Sequence, residues 1–345
     1  MPKNVVTLGE IMLRLSPPGT QRFVQASAFD VVYGGGEANV AASLAQWGLH
    51  AAFVTKVPKH EIGQAAVNHL RRYGVDTRHV VRGGDRLGIY FLEMGAAQRG
   101  SKVVYDRAGA AVSTLRADEL DWAEVFEGVD WFHFTGITAA LGDTARDTLR
   151  AAVAAARSAG ATVSCDLNYR AKLWTVDEAR AFMRPMMEHV DVCIANEEDA
   201  DKCLGLTAGT TDVHGGHLDE AGYADLMRRM RSTFGFQTVA VTLRESFSAS
   251  RNGWSAMVHD GGLAEQPYRS PRFDITPIVD RVGGGDAFAA GFVYGMLTKD
   301  DPRRALDYAV AASCLKHSVF GDFNHVSVDE VEKLASGSGG GRVER

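Results

Sequence analysis

The chain has 345 residues, of which 46% are hydrophobic and 23% charged, and these values exclude disordered, collagen-like and coiled-coil chains. The 37 Lys and Arg residues against 43 Asp and Glu give a net charge of −6, so no electrostatic footprint for nucleic acid is expected. The apolar segments are too short to span a bilayer, and we expect neither a membrane span nor a targeting segment at the N-terminus.

Segments 11–33 and 86–107 are predicted to form strands separated by turns, because they lack a helical period. In the second segment Ile89 and Phe91 alternate on one arm of a hairpin, and Val103 and Tyr105 on the other. We predict a small β-sheet that serves as a lid, as a surface for a homo-oligomer, or as both. The alternative is an ordinary meander packed on the main core.

Further along the chain, short β-branched runs alternate with helical patterns. A helix is predicted with Asp143 as its N-cap and Gly160 at its end. This alternation predicts a parallel α/β sheet covered by helices, with ligands at the carboxyl ends of the strands. Those ends carry the polar stretches 166–170, 195–199 and 242–246. We predict one domain over 1–335 and a flexible Gly/Ser-rich tail over 336–345.

The cysteines are scattered without a CxxC pair, which predicts neither a zinc site nor disulfides and favours the reducing cytoplasm. They are Cys165, Cys193, Cys203 and Cys314. His214 and His217 lie in a Gly-rich stretch, and a loop is a better interpretation there than a metal site.

Three consecutive glycines, Gly283, Gly284 and Gly285, precede Asp286 and an apolar helical pattern. Backbone N–H groups and the positive end of the helix would hold an anion there. Asp286 would then act as general base on a hydroxyl that attacks a phosphoryl group. The alternative is an aspartate that only caps the helix.

A second glycine cluster, Gly34, Gly35 and Gly36, opens an Ala-rich helix with Asn39 one turn in. The Asn39 amide is suited to a sugar hydroxyl. The alternative is close packing of the strand on the helix through glycine. The complete dinucleotide and P-loop motifs are missing, so both of those sites lose support.

Together the two clusters resemble the ribokinase-like (PfkB) family of carbohydrate kinases, with its GG…N and D-T-x-G-A-G-D signatures. Residues 280–286 match the second signature, with Arg281 in place of the usual Thr and Gly284 in place of the usual Ala. The resemblance extends from about Val5 to Leu334. It implies a three-layer α/β sandwich with a mainly parallel central sheet and a small β-sheet lid. It also implies an ATP-dependent kinase with Asp286 as base and Gly283–Gly285 as anion hole.

The resemblance also assigns residues to ATP and Mg²⁺. Asn196 and Asp199 resemble the N-x-x-E motif tied to magnesium and phosphate, with Asp where Glu is usual. Asn168 would meet ATP, and Thr242 and Arg244 lie where the nucleotide phosphates pass. The glycine usual after Thr242-Leu243 is missing, and the late Gly253 predicts an enlarged turn. The alternative for Arg244 is an ion pair with Glu245 or another surface acid.

Several further stretches resemble the branch of the family that phosphorylates 2-keto-3-deoxygluconate: GEIMLRLSPP, GIYFLE, YDRAGAA, DLNYR and KHSVFGDFN. The resemblance implies that Tyr90, Tyr105, Arg107 and Arg170 contact the sugar acid, and an arginine suits a carboxylate. A single arginine is more often a surface ion-pair partner. We predict Mg²⁺- and ATP-dependent phosphorylation of the 6-hydroxyl of 2-keto-3-deoxygluconate. The alternatives are another sugar kinase, such as a fructokinase or ribokinase, and a non-catalytic sugar- or nucleotide-binding regulator.

Overall fold

The computed structural model describes residues 2–208, 219–262 and 266–338. The strands among them are β1 (Asn4–Leu8), β2 (Met12–Ser16), β3 (Asp30–Gly34), β4 (His50–Val57), β5 (Val80–Arg82), β6 (Gly88–Glu93), β7 (Lys102–Asp106), β8 (Trp131–Thr135), β9 (Thr162–Asp166), β10 (Val192–Ala195), β11 (Thr238–Ser248), β12 (Arg251–Asp260), β13 (Tyr268–Arg269) and β14 (Phe273–Ile275).

The α-helices are α1 (Gly36–Gln46), α2 (Glu61–Arg72), α3 (Trp122–Val125), α4 (Gly136–Ala139), α5 (Asp143–Ser158), α6 (Val176–Met187), α7 (Glu197–Asp199), α8 (Glu220–Phe234), α9 (Gly284–Thr298), α10 (Pro302–Lys316) and α11 (Val328–Ala335). Helix α5 begins at Asp143, but Gly142 is its N-cap, so the predicted cap lies one residue too late. His214 and His217 lie outside the described residues.

The large sheet has the order β13-β12-β11-β10-β9-β8-β1-β4-β5, with β14 paired to β12. Its strands are parallel from β11 to β5, whereas β12 pairs in antiparallel with β11, β13 and β14. The mainly parallel central sheet is therefore confirmed. All the parallel strands end at one edge, which is where ligands bind in open α/β sheets.

Alternate side chains of the central strands enter two separate hydrophobic cores. Val6 and Phe132 belong to the core beneath α5, α6 and α8, whereas Val5 and Trp131 belong to the core beneath α1, α9 and α10. A strand buried on both faces needs apolar side chains in both directions, which explains the continuous apolar runs in the sequence. Helices on both faces of one sheet make the predicted three layers.

A separate four-stranded sheet has the order β3-β2-β6-β7. Its strands come from the two segments predicted to form it. Strands β2 and β6 are parallel, and β6 and β7 form the predicted hairpin, with Tyr90 opposite Tyr105. The parallel pair is incompatible with an ordinary meander on the main core.

The cysteines are all free, and Cys314 is the only one of the four that is not fully buried. None of the helices in the described ranges has both the length and the apolarity needed to cross a membrane.

Candidate active site

The carboxyl ends of β9 and β10, the middle of β11 and the N-termini of α1 and α9 meet at one cavity of about 380 Å³. Most of the site residues predicted from sequence line it: Gly35, Gly36, Asn39, Tyr90, Tyr105, Arg107, Asn168, Arg170, Asn196, Asp199, Thr242, Arg244, Gly283, Gly285 and Asp286. Gly34 and Gly284 are buried behind its wall. Residues from all parts of the chain thus surround one cavity.

The N-terminus of α9 provides unpaired backbone donors to this cavity. Among the described residues, no acceptor contacts the N–H groups of Gly285 and Asp286, because the first helical bond is from Ala287 to Gly283. Gly283 has a φ of +82°, which a glycine adopts without strain. Two free donors at a helix N-terminus form an anion-binding position.

Gly284 packs against a histidine rather than facing the cavity. A Cβ atom there would lie 2.8 Å from Cε1 of His317, closer than two carbon atoms can approach without a shift. His317 occupies the space that the methyl group of the usual alanine would need, so a glycine fits at this position.

The Asp286 carboxylate is held by Asn39. Asn39 Nδ2 donates to Asp286 Oδ2 at 2.6 Å, and Asn39 Oδ1 accepts from the N–H of Gly35 at 3.2 Å. Burial raises the pKa of Asp286 to about 6, against the lowering effect of the Asn39 hydrogen bond. Such a carboxylate is mostly ionised at neutral pH and still basic enough to accept a proton.

A buried ion pair lies at the other end of the cavity, where Arg107 donates to Glu10. Burial raises the pKa of Glu10, and Arg107 lowers it. Two buried atoms of this pair, Glu10 Oε1 and Arg107 Nε, have no protein partner. Buried polar atoms without partners are costly, so the pair is suited to contact a polar ligand.

Arg170 is exposed, and its Nη1 donates to the carbonyl oxygen of Tyr169 at 2.8 Å. It also lines an adjoining cavity of about 240 Å³ together with Tyr105, Arg107 and Lys172. The end of the main cavity near the small sheet therefore presents several cations and tyrosine rings.

A buried charge cluster, which the sequence analysis missed, supports this end of the cavity. Arg14 Nη2 lies 2.7 Å from Asp280 Oδ2, and Arg14 Nη1 lies 2.9 Å from Asp322 Oδ1. Tyr90 donates to the other oxygen of Asp322. Arg14 lies on β2, Asp280 precedes α9 and Asp322 follows α10, so the cluster joins the small sheet to the glycine loop.

Asn196 and Asp199 form a capping box at α7. Asn196 Oδ1 accepts from the N–H of Asp199 at 2.9 Å, and Asp199 Oδ2 accepts from the N–H of Asn196 at 3.3 Å. Asp199 Oδ1 accepts from the N–H of Tyr169 at 2.8 Å. Burial raises the pKa of Asp199 to about 6. Both oxygens of Asp199 therefore already have protein donors.

Asp166, at the end of β9, is a further carboxylate of this cavity that the sequence analysis did not select. Burial, Asp199 and Asp286 raise its pKa well above the ordinary value. Within the described ranges no group of three or more His, Cys, Asp and Glu side chains is arranged to hold a metal ion.

Thr242 and Arg244 are two residues apart on β11, so both side chains lie on the face of the strand that lines the cavity. Glu245 pairs with Arg272, so the alternative ion pair of Arg244 with Glu245 is not formed. The enlarged turn predicted from Gly253 is wrong. Gly253 lies within β12 opposite Glu245, and the hairpin turns at 249–250, because both strands extend beyond the central sheet.

Known proteins of similar sequence and structure belong to one family of kinases. The pfkB family of carbohydrate kinases matches residues 2–326. The crystal structure of a 2-dehydro-3-deoxygluconokinase from Thermotoga maritima superposes with a TM-score of 0.92 at 52% identity, over 97% of this chain and 99% of that one.

Curated relatives also extend along nearly the whole chain. A 2-dehydro-3-deoxygalactonokinase of Haloferax volcanii is 35% identical over 99% of this chain and 99% of its own length. A 2-dehydro-3-deoxygluconokinase of Thermoproteus tenax is 32% identical over 92% of this chain and 90% of its own length.

The fold and the site therefore define an α/β sugar kinase in which glycine-opened helices face a carboxylate. The chain belongs to the PfkB family of carbohydrate kinases. It is an ATP-dependent carbohydrate kinase, as its resemblance to that family implied.

Proposed function

We propose that the protein transfers the γ-phosphoryl group of ATP to the 6-hydroxyl of 2-keto-3-deoxygluconate, also called 2-dehydro-3-deoxygluconate. The observation that carries the proposal is the position of Asp286 beside two free backbone donors, in a cavity whose far end carries Arg107 and Arg170. The names of the relatives support the same class of acceptor.

In the proposed reaction, Asp286 accepts the proton of the 6-hydroxyl as the hydroxyl oxygen attacks the γ-phosphorus. The bond between this phosphorus and the oxygen of the departing ADP breaks. The N–H groups of Gly285 and Asp286 donate to the oxygens of the transferring group, whose charge they stabilise. Asn39 keeps the carboxylate facing the acceptor, and one N–H of its amide is left for a sugar hydroxyl.

Arg107 and Arg170 bind the carboxylate of the acceptor in this proposal, with Tyr90 and Tyr105 against its carbon chain. Arg107 already pairs with Glu10, whereas the only hydrogen bond of Arg170 within the described residues is to a backbone carbonyl. A sugar acid would give Arg170 a counter-charge that a neutral sugar lacks, which favours the acid over fructose or ribose. The Haloferax relative makes the epimeric 2-keto-3-deoxygalactonate a second candidate. The two acids differ at one hydroxyl-bearing carbon.

The nucleotide lies along the strand ends in this proposal, next to Asn168, Asn196, Thr242 and Arg244. Mg²⁺ is usually bound through one or two carboxylates, waters and nucleotide phosphates. Asp166 fits this role because its carboxylate faces the cavity. Burial raises its pKa, and so do the nearby carboxylates, whose repulsion a cation would relieve. Asp199 would orient the loop and act on the metal through water. When bound, Mg²⁺ would neutralise phosphate charge.

The outer face of the small sheet supports the further proposal that two copies of the chain associate there. Val31, Leu15, Phe91 and Val104 lie opposite one another across all four strands. Val31 is 60% exposed and Val104 is 52% exposed. An exposed apolar row on a sheet is the kind of surface that another chain covers.

We also propose that the protein acts in the cytoplasm, and that residues 1–335 form one domain in which the small sheet is the lid.

The test of the proposed function is ADP release with Mg·ATP and a panel of acceptors: 2-keto-3-deoxygluconate, 2-keto-3-deoxygalactonate, gluconate, fructose and ribose. We expect the keto-deoxy acids to be strongly preferred, with the phosphate on the 6-oxygen by phosphorus NMR. A preference for fructose or ribose would contradict the acceptor assignment. If the protein binds nucleotide and sugar but turns over none of these acceptors, the result would favour a non-catalytic sugar- or nucleotide-binding regulator.

A further inference from the structure

Arg281 departs from the family signature and lies in the candidate active site. It lines the cavity beside Gly283, Gly285 and Asp286. Its Nη2 donates to the carbonyl oxygen of Ala249 at 2.6 Å, with a longer contact of 3.4 Å to the carbonyl of Ser248. The guanidinium is therefore fixed in position.

The anchoring carbonyls lie at the tip of the β11–β12 hairpin. This tip is itself bonded to the loop between β6 and β7, since the N–H of Ala249 donates to the carbonyl of Ala97 at 2.9 Å. The N–H of Ala97 in turn donates to Ser250 Oγ at 3.2 Å. An arginine held in this way loses little further freedom when a ligand binds.

A second arginine, Arg244, lines the same cavity, and in the described parts of the chain no carboxylate lies within ion-pair distance of either arginine. The carboxylate nearest in sequence, Asp280, is already bound by Arg14 and by the N–H groups of Val282 and Gly321. Burial and the neighbouring Arg244 lower the pKa of Arg281. An anion bound beside the anion hole would give both arginines a counter-charge and offset their repulsion.

We propose that Arg281, together with Arg244, binds the triphosphate of ATP next to the anion hole, and that Arg281 is a further catalytic residue. This inference rests on the proposed position of the nucleotide. The guanidinium stabilises negative charge on the phosphate oxygens as the phosphoryl group moves to the acceptor. Threonine, the usual residue here, offers a neutral hydroxyl, so this chain adds a positive charge that the family pattern does not require.

The test compares two variants that separate charge from anchoring. Arg281→Gln retains an N–H donor for the Ala249 carbonyl and removes the charge, whereas Arg281→Lys retains the charge and loses the planar fork. Arg251→Gln is the matched control, because Arg251 lies on the same hairpin, pairs with Asp274 and does not line the cavity. Binding of ADP and of Mg·ATP is measured by calorimetry without sugar, followed by kcat, both KM values and Tm.

We expect Arg281→Gln to weaken nucleotide binding about tenfold or more and to lower kcat about 10²-fold, with the sugar KM and Tm unchanged. Arg281→Lys should retain most of the nucleotide affinity, and Arg251→Gln should match the wild type. Wild-type nucleotide binding and kcat in Arg281→Gln would overturn the proposal. A lowered Tm with equal loss in Gln and Lys would also overturn it, since Arg281 would then only anchor the hairpin.

These results are distinguishable from a failure of the proposed function. If the wild type binds Mg·ATP but prefers another acceptor, the acceptor assignment fails and the assignment of Arg281 still stands on the calorimetry. If Arg281→Gln binds nucleotide like the wild type while 2-keto-3-deoxygluconate is phosphorylated, only the inference about Arg281 fails.

Discussion

The reactivity of Asp286 depends on its immediate neighbours. Burial favours the protonated form of its carboxyl, and the Asn39 amide favours the ionised form by donating a hydrogen bond. The balance leaves a base with a pKa of about 6. A base must be unprotonated to act, so kcat/KM for the sugar should rise through pH 6 and level off above it.

Replacing Asn39 tests the cause of this pKa. Asn39→Leu removes the donor that stabilises the ionised carboxylate, so the pKa of Asp286 should rise and the acidic limb of the pH–rate profile should move to higher pH. The measurement is kcat/KM for the sugar from about pH 5 to about pH 9. Binding of Mg·ATP is the control for correct folding. An acidic limb that stays where it is in the wild type would contradict the role given to Asn39.

The Arg107–Glu10 pair lies at the end of the cavity where, in the proposed function, the carboxylate of the acceptor binds. Removing Arg107 alone would leave the Glu10 carboxylate buried without its partner, so the informative variant is Arg107→Met combined with Glu10→Gln. We expect the KM for the keto-deoxy acid to rise about 10- to 100-fold, while the KM for ATP stays constant. An unchanged KM for the acid would remove Arg107 from the carboxylate site.

At the scale of elements, two glycines at the N-terminus of α9 have different roles. The backbone conformation requires a glycine at position 283, whereas a glycine at position 285 leaves room for a ligand in the cavity. A Cβ on Gly283 would overlap the carbonyl oxygen of Asp322 at a φ of +82°, whereas a Cβ on Gly285 would meet no atom within 4 Å. Gly283→Ala should therefore lower the free energy of unfolding by about 1–3 kcal/mol. Gly285→Ala should leave the stability intact and lower kcat by placing a methyl group beside the anion hole.

Denaturant unfolding and steady-state kinetics of both variants check this assignment. A stable Gly283→Ala protein would show that the loop adapts, and a fully active Gly285→Ala protein would show that the transferring group does not lie there.

Local patterns explain why some of the site could be predicted. The glycine clusters and the strand alternation of the small sheet are local in sequence, so residues such as Gly285, Asn39 and Tyr90 can be singled out from sequence, and the structure places them around one cavity. The N-cap of α5 and the β11–β12 turn could not be predicted in this way, because a single residue decides a cap and tertiary packing extends β11 and β12 past the expected turn.

Partners that are distant along the chain could not be predicted in this way. Arg14 and Asp322 are 308 positions apart, and each alone resembles an ordinary charged residue. Their pairing follows from the packing of the small sheet on the glycine loop. Asp166 was missed for a related reason, since a carboxylate at a strand end becomes informative only when Asp199 and Asp286 are seen beside it.

At the scale of the whole molecule, the small sheet has an inner face that belongs to the site and an outer face that is apolar. We expect a dimer in sedimentation experiments, with the row of Val31, Leu15, Phe91 and Val104 at the contact. Val104→Lys should shift the protein toward monomer, because a buried lysine without a partner is costly. Lys59→Glu, a charge change at an exposed position outside the small sheet, is the control. A wild-type protein that remains monomeric at high concentration would contradict the interface.

The central claim is that Asp286 is the base of a phosphoryl transfer to a sugar acid, and Asp286→Asn tests it most directly. The variant keeps the size of the side chain and one oxygen that can accept from Asn39 Nδ2, and it removes the ability to accept the proton. We predict that kcat with 2-keto-3-deoxygluconate and Mg·ATP falls about 10²- to 10⁴-fold, while calorimetry shows ATP binding close to that of the wild type. Wild-type turnover by Asp286→Asn would contradict the mechanism.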